Sequence, residues 1–528
     1  MPQENYYLKI GSAADLSGKD RVLYRLFEIL PGFLSWLTIL GVIFLSWQKP
    51  VWVAFFIISF DVYWLVKTVY LSFHLRAGWK KMRKNLKVNW EEKLNLLHKS
   101  FGHSGTGAPG ADCPAPTNIW QMIILPFYKE DFKVVVDCVE SLFNSKWPKE
   151  RMIVVVAYEE QGGDETERTA SEVFQKYRDK FGYFILTKHP AGLENETPGK
   201  GSNIAFAAEK AKTEILDRNN IKYENVLVSA FDIDTQIYPQ YFSCLAYHFL
   251  TAENPYRSSF QPVPVYNNNI WYAPALSRVV ATSGTFWQMM QQARPERLTT
   301  FSSHSMSFKT LYEVGYWQKN MVSEDSRIFW NCFFYYDGDY QVVPLNYPVS
   351  MDANLAPTFW GTLRNVYKQQ RRWTWGAENI SYLLFGFLKN NNISFRKKLR
   401  YGFMQIEGFW SLATNPLLIF MLGWLPLWLG GQEFGTTLIS YNLPRITRDL
   451  MNIAMLGLIG SAIISTFLLP KRPNDKRKWR YIFMVSQWIF IPFTIIFFGA
   501  IPGLDAQTRL MLGGRFRLGF WVTPKYRK

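Results

Sequence analysis

Cysteine is scarce. Cys113, Cys138, Cys244 and Cys332 stand far apart in a chain of 528 residues, and no two of them form a CxxC pair. That spacing argues against a disulfide framework and against a zinc site, and it reads as reduced cytosolic thiols. Residues 1–20 are polar and hold no apolar stretch of the kind a cleaved signal peptide needs, so none is expected. Acidic residues are outnumbered, 42 against 59 Lys and Arg, which leaves a formal net charge of +17. Such an excess suits a nucleic-acid binder or a membrane protein, and its placement along the chain separates the two. Long apolar runs are missing between about residue 75 and residue 400 and are confined to the two ends.

At the amino-terminal end, residues 30–47 (LPGFLSWLTILGVIFLSW) carry no charge, and residues 51–73 hold only Asp61 and Lys67. About 20 apolar residues cross a bilayer core, so both stretches are expected to span one. Lys80, Lys81, Arg83, Lys84 and Lys87 follow, and the positive-inside rule puts them, and the N-terminus, on the cytoplasmic side. Arg396, Lys397, Lys398 and Arg400 mark a second basic edge; residues 401–431, 450–470 and 481–502 are apolar, and the loop 471–480, KRPNDKRKWR, is strongly basic. Because the charge borders the apolar runs, a membrane protein is favoured and no nucleic-acid partner is expected. Three single crossings after residue 400 would leave the basic tail, 503–528, outside. Either 401–431 crosses twice, or 481–502 bends back near Pro492, or one segment lies in the interface.

Between the ends, strand-like and helix-like pieces alternate: QMIILPFY (121–128), FKVVVDCVESLFNS (132–145), MIVVVAY (152–158), TERTASEVFQKYRDKF (166–181), YFILTK (183–188), GSNIAFAAEKAK (201–212) and NVLVSAFD (225–232). This order predicts a parallel sheet of the α/β class. Ligands of such sheets bind at the carboxyl ends of the strands, which selects Tyr128–Asp131, Glu159–Asp164, Lys200–Asn203 and Asp232–Asp234. Asp232 and Asp234 in FDIDTQ are two residues apart, on one side of an extended chain. Paired carboxylates repel unless a cation joins them, and Mg²⁺ prefers one or two carboxylates plus phosphate oxygens. An ordinary acidic loop is the plainer alternative. Glu324 and Asp325 in SEDS precede the helix RIFWNCFFYY, where acids suit a helix N-terminus or could take a proton from a hydroxyl. TPGKGSN, 197–203, fails the phosphate-loop pattern, yet a glycine-flanked Lys200 at a helix start can still meet phosphate. In QQRRW, Gln369, Arg372 and Trp373 share one helix face. The aromatics of 356–389 recur at helical spacing, which suits an interfacial helix with Trp360 and Phe387 on the lipid side.

Taken in order, these pieces resemble the membrane-embedded, processive members of glycosyltransferase family 2, the class that includes cellulose and hyaluronan synthases. LPFYKED (125–131) is similar to the family's first nucleotide-binding strand end, FDID to its DxD, SEDS to its TED, QQRRW (369–373) to its QxxRW, and FWVTPK (520–525) to the FxVTxK gating loop. The resemblance implies a GT-A (Rossmann-like) cytosolic glycosyltransferase domain inserted between transmembrane helices. It implies segments at 1–28 (cytosolic), 29–74 (two spans), 75–355 (GT-A domain), 356–400 (interfacial helices), 401–502 (further spans) and 503–528 (cytosolic tail). It further implies Asp325 as catalytic base, and Mg²⁺ or Mn²⁺ on Asp232 and Asp234. Donor contacts fall to Tyr128, Glu130, Glu159, Lys200, Asn203, Arg372, Thr523 and Lys525, and acceptor contacts to Glu324, Gln369 and Trp373. One motif departs: the Asp expected after the second strand is absent from IVVVAYEEQGGDE (153–165), where Glu159, Glu160 or Asp164 stands in.

The implied activity is inverting transfer from a nucleotide-sugar, a UDP-sugar by resemblance, to a growing β-linked polysaccharide, coupled to translocation across the plasma (inner) membrane. Implied partners are the donor, a polysaccharide or glycolipid acceptor, the bilayer and an export subunit. Two rivals stand beside this reading: a non-processive transferase adding one sugar to a membrane lipid, and a non-catalytic export or scaffold protein.

Overall fold

The computed structural model describes residues 3–103, 116–474 and 479–527. Cys113, part of the basic loop 471–480, and Lys528 lie outside the described residues.

Eight strands form one sheet: β1 (Trp120–Phe127), β2 (Met152–Glu159), β3 (Tyr183–His189), β4 (Val226–Ala230), β5 (Gln236–Ile237), β6 (Ser258–Tyr266), β7 (Ser305–Ser307) and β8 (Gln341–Met351). Their order is β3-β2-β1-β4-β7-β6-β8-β5. The first half is parallel, with β2 buried along its whole length between β1 and β3. A continuous apolar run is what a strand covered on both faces requires. One face packs on the helices Phe132–Phe143 and Asp164–Tyr177 through Val134, Val135 and Val173; the other packs on Lys200–Ala211 and Glu324–Tyr335 through Ile204, Ala208 and Ile328. Each Val, Ile or Leu buried there contributes about 1.5–3 kcal/mol.

The second half is mixed, a feature the strand–helix alternation does not predict. β7 runs antiparallel between β4 and β6, and β8 lies parallel to β6. Two antiparallel steps restore direction, so β6 and β8 point the same way as β1, β2 and β4. All five therefore end at one edge of the sheet, and there the candidate site is built.

Four helical runs among the described residues are long and apolar enough to cross a membrane: Gly18–Gln48, Pro50–Asn85, Leu438–Phe467 and Arg480–Leu512. Phe395–Phe420 with Leu422–Leu429 forms a pair bent by 49° that also qualifies. The run Arg480–Leu512 is broken by a 3-10 turn at Gln487–Phe490 and a wide turn at Ile496–Ala500. Its start packs on the sheet-bearing unit, where Arg278 donates to Gln487 at 2.6 Å and Trp271 meets Tyr481. Its end returns to the helix Phe359–Thr374, where Arg371 donates to Asp505 at 2.9 Å. Both ends thus touch elements outside the candidate spans.

The interfacial expectation needs one correction. In Phe359–Thr374, Trp360 is 77 % exposed while Thr362, Val366 and Gln369 face inward. Phe387, expected on the lipid side, is only 6 % exposed and packs on Phe333 and Phe334. The helix Glu378–Lys389 is a core element, because an apolar stripe does not distinguish lipid from protein as its neighbour.

Candidate active site

The pocket is organised around Lys200, the first residue of the helix Lys200–Ala211. Its Nζ donates to Asp232 Oδ1 at 2.7 Å and to both oxygens of Asp325 at 2.9 Å. Asp232 follows β4 and Asp325 opens the helix Glu324–Tyr335, so elements distant in sequence share one ammonium. Burial disfavours the Lys200 charge, but the carboxylates of Asp232 and Asp325 outweigh it and hold Lys200 above its ordinary range. Burial likewise works against the Asp232 carboxylate, yet Lys200 and Lys525 keep it well below the usual range. Glu324, beside them, is pushed up by burial and then by the charge of Asp325.

The DxD is not extended. Thr235 N donates to Asp232 O at 2.9 Å, closing a turn that sends the two side chains apart. Asp234 Oδ2 accepts from Lys525 Nζ at 2.7 Å and from the Asp352 backbone N–H at 3.0 Å. The two carboxylates separate, and each takes its own ammonium. The Oδ1 atom of Asp234 is buried without a hydrogen-bond partner.

Arg372 reaches the same region. Its guanidinium lies 4.8 Å from the centre of the Phe520 ring, and its Nε is buried and unpartnered. Phe520 in turn seats against Gly199, whose φ of +145° and lack of a Cβ make room for the ring. The neighbouring arginines therefore diverge: Arg371 ties Phe359–Thr374 to Asp505, and Arg372 points to the pocket. Trp373 is 40 % exposed and lies 5.9 Å from Tyr266, centre to centre. These two rings, Gln369, Asp352 and Asn354 line a small cavity at the strand ends. Thr523 is buried, and its hydroxyl has no partner.

Other expected residues are placed differently. The Glu130 carboxylate accepts from the backbone N–H of Tyr128 at 2.7 Å and of Lys129 at 3.2 Å, so it shapes its own loop. The Tyr128 carbonyl accepts from Thr166. Asn203 Nδ2 donates to Ala157 O at 3.0 Å and braces β2. Glu159 is buried at the end of β2, where burial, then the nearby Glu130 charge, raises it to about 7. Its folded-state value exceeds the unfolded one of about 4.3. Its stabilising share is thus complete below the unfolded value and is lost as pH rises through 7. Glu159→Gln is expected to flatten the fall in thermal midpoint between pH 5 and pH 8, an effect bounded by about 3 kcal/mol. Equal slopes for variant and wild type in a thermal-shift series would remove Glu159 from this role.

Two residues at the site carry no expectation from the sequence. Asp352, just past β8, accepts from Asn268 Nδ2 at 3.0 Å and from Arg527 at 2.8–3.2 Å. The strand-end rule that selects Asp232 selects Asp352 as well once β8 is known to run parallel to β4. Arg527 has no comparable signal.

Among the described residues, no group of three or more His, Cys, Asp or Glu is arranged to hold a metal ion. The fit is instead to a cation shared with a ligand. Asp234 has a spare buried oxygen, and one or two carboxylates completed by phosphate oxygens suit Mg²⁺ or Mn²⁺.

Residues 227–499 match the family model described as "Glycosyl transferase family group 2". No curated protein matches by sequence. Among solved structures, the chain is similar to a mannosyltransferase, PcManGT from Pyrobaculum calidifontis in complex with GDP-Man and Mn²⁺, at 11% identity and a TM-score of 0.40, covering 76% of this chain and 99% of that one. It is also similar to S. aureus TarS 1–349, at 10% identity and a TM-score of 0.34, covering 66% and 91% respectively.

Proposed function

The chain belongs to glycosyl transferase family group 2, and from that premise we propose that it is an inverting, membrane-embedded GT-A transferase that extends a β-linked polysaccharide from a nucleotide-sugar. The observation that carries this is the sharing of Lys200 by Asp232 and Asp325 at the edge where the parallel strands end.

Each side chain has a defined task. Asp325 accepts the proton of the acceptor hydroxyl, which attacks the anomeric carbon from the face opposite the leaving group. Lys200 holds that carboxylate in place through both of its oxygens. Arg372, with an unpartnered buried N–H, meets the departing diphosphate as charge develops on it. Trp373 and Tyr266 offer ring faces to the acceptor sugar. Glu324, whose proton is retained by burial and by Asp325, can donate a hydrogen bond where a second carboxylate would repel. Asp232 and Asp234 would hold Mg²⁺ or Mn²⁺, which supplies positive charge against the diphosphate. Displacement in one step turns an α-linked donor into a β-linkage.

Four crossings by Gly18–Gln48, Pro50–Asn85, Phe395–Phe420 and Leu438–Phe467, with Arg480–Leu512 returning to its own side, keep the tail with the catalytic unit. The basic edges at 80–87 and 396–400 support a cytoplasmic side for that unit.

Purified protein incubated with a panel of labelled UDP- and GDP-sugars is expected to release nucleotide and build a ladder of products on a gel. A single glycolipid band would replace the processive reading by single addition, and no nucleotide release would end the enzymatic one. Asp232→Ala is expected to weaken cation-dependent donor binding at least about tenfold, the loss of one charge-assisted contact. Wild-type turnover unaffected by EDTA would contradict the cation's part.

A further inference from the structure

The helix that begins with Glu324 and Asp325 departs from a local rule. Ser323 stands at its N-cap, where a serine hydroxyl ordinarily accepts from an N–H of the first turn, yet no such bond forms. The Ser323 hydroxyl donates instead to Glu378 Oε1 at 2.7 Å, and the Ser323 backbone N–H donates to the same oxygen at 3.1 Å. The other oxygen, Oε2, accepts from Trp375 Nε1 at 2.9 Å. Asn379, the next residue, donates from Nδ2 to Ser326 Oγ at 2.9 Å and to Ser323 Oγ at 3.3 Å, and its Oδ1 accepts from Arg327 Nε at 2.6 Å. Glu378 and Asn379 are both buried. An acid in the first turn of Glu378–Lys389 is by itself an ordinary response to the helix dipole. Here both carboxylate oxygens serve other segments.

We propose that Glu378 and Asn379 are positioning residues that lock the start of the helix bearing Asp325 to the segment directly after Arg372 and Trp373, and so fix the spacing between base and guanidinium before substrate arrives. The proposal rests on the reading of Asp325 as the base and of Arg372 as the diphosphate's partner. The link is short in both directions, since Ser323 stands two residues before Asp325 and Trp375 three after Arg372. The acceptor hydroxyl and the leaving diphosphate lie on opposite faces of the anomeric carbon. Base and guanidinium must therefore face each other across one sugar, and a displacement of about 1 Å in that spacing costs about 10²-fold in rate. A carboxylate suits the post because every group it meets can donate: a backbone N–H, a hydroxyl and an indole N–H, with the Arg517 guanidinium 3.7 Å from Oε2. An amide of the same shape does not. Its NH₂ must meet either the Ser323 N–H or the Trp375 N–H, and neither has a lone pair to offer.

The test uses the full chain in detergent and the labelled UDP- or GDP-sugar that it turns over. Glu378→Gln is expected to lower kcat about 10²-fold with donor KM unchanged, as a loss confined to the transition state requires. Adding Trp375→Phe to that variant removes the indole N–H that opposes the amide, and most of the lost kcat is expected to return. A role in stability alone predicts the reverse, a double variant worse than either single one. Ser323→Ala deletes one hydroxyl and keeps the backbone N–H bond; its kcat is expected to fall about tenfold, the scale of one charge-assisted hydrogen bond. Should Glu378→Gln fail to fold, full kcat in Ser323→Ala would overturn the proposal. So would full turnover in Glu378→Gln, a rise in its donor KM in step with the fall in kcat, or a double variant no faster than Glu378→Gln. Full turnover in Asp325→Asn would remove the base reading itself, whereas full turnover in Glu378→Gln beside an inactive Asp325→Asn would remove only the positioning role.

Discussion

Asp325→Asn is expected to lower sugar transfer by about 10²–10⁴-fold, the range that a positioned general base supplies, while donor binding stays measurable. The amide keeps the shape of the carboxylate, so the helix Glu324–Tyr335 and the Lys200 contact can persist, but it cannot accept a proton. Separating kcat from donor affinity is therefore the informative readout. A variant with full turnover would remove Asp325 from the base role, and one that lost donor binding in proportion would make it a positioning residue for Lys200. Glu324 is the natural substitute to exclude. Burial, and then the charge of Asp325, raise its carboxyl above the usual range, so Glu324→Gln made in parallel separates the two acids.

Arg372→Lys is expected to lower kcat by about 10²–10³-fold, the scale seen when one donor aimed at developing charge is removed. The charge survives in this variant, so the loss reports the planar fork that can address two phosphate oxygens, not charge alone. Arg371→Lys is the matched control. Arg371 serves the Arg480–Leu512 run through Asp505, and its substitution should act on stability before it acts on turnover. Equal kinetic losses at both positions would show that the helix Phe359–Thr374 is being disturbed as a whole.

The parallel half of the sheet was legible because β1, β2 and β4 are largely apolar runs, as strands buried on both faces tend to be. The antiparallel insertion was not. β7 is Ser-Met-Ser, held by Ser229 Oγ and Ser305 Oγ at 2.7 Å, and no hydrophobic period marks it. Missing β7 hid the direction of β8, and so hid Asp352, although the residue obeys the same strand-end rule as Asp232. The two aspartates of FDID were visible as a pair, but their parting is matched to Lys200 and Lys525, two ammonium groups more than 300 residues apart in the chain. Spacing alone put QQRRW on one turn. Which arginine faces the pocket is decided by Asp505, a tertiary partner. Phe387 failed for a related reason, since a core helix and a lipid-facing helix carry the same stripe.

The central claim is that the carboxylates around Lys200 and the guanidinium of Arg372 close on one nucleotide-sugar. A cryo-EM structure of the full chain with UDP and Mn²⁺ addresses it most directly. The account predicts diphosphate density between Asp234 and Arg372. Nucleotide bound away from these residues would contradict it.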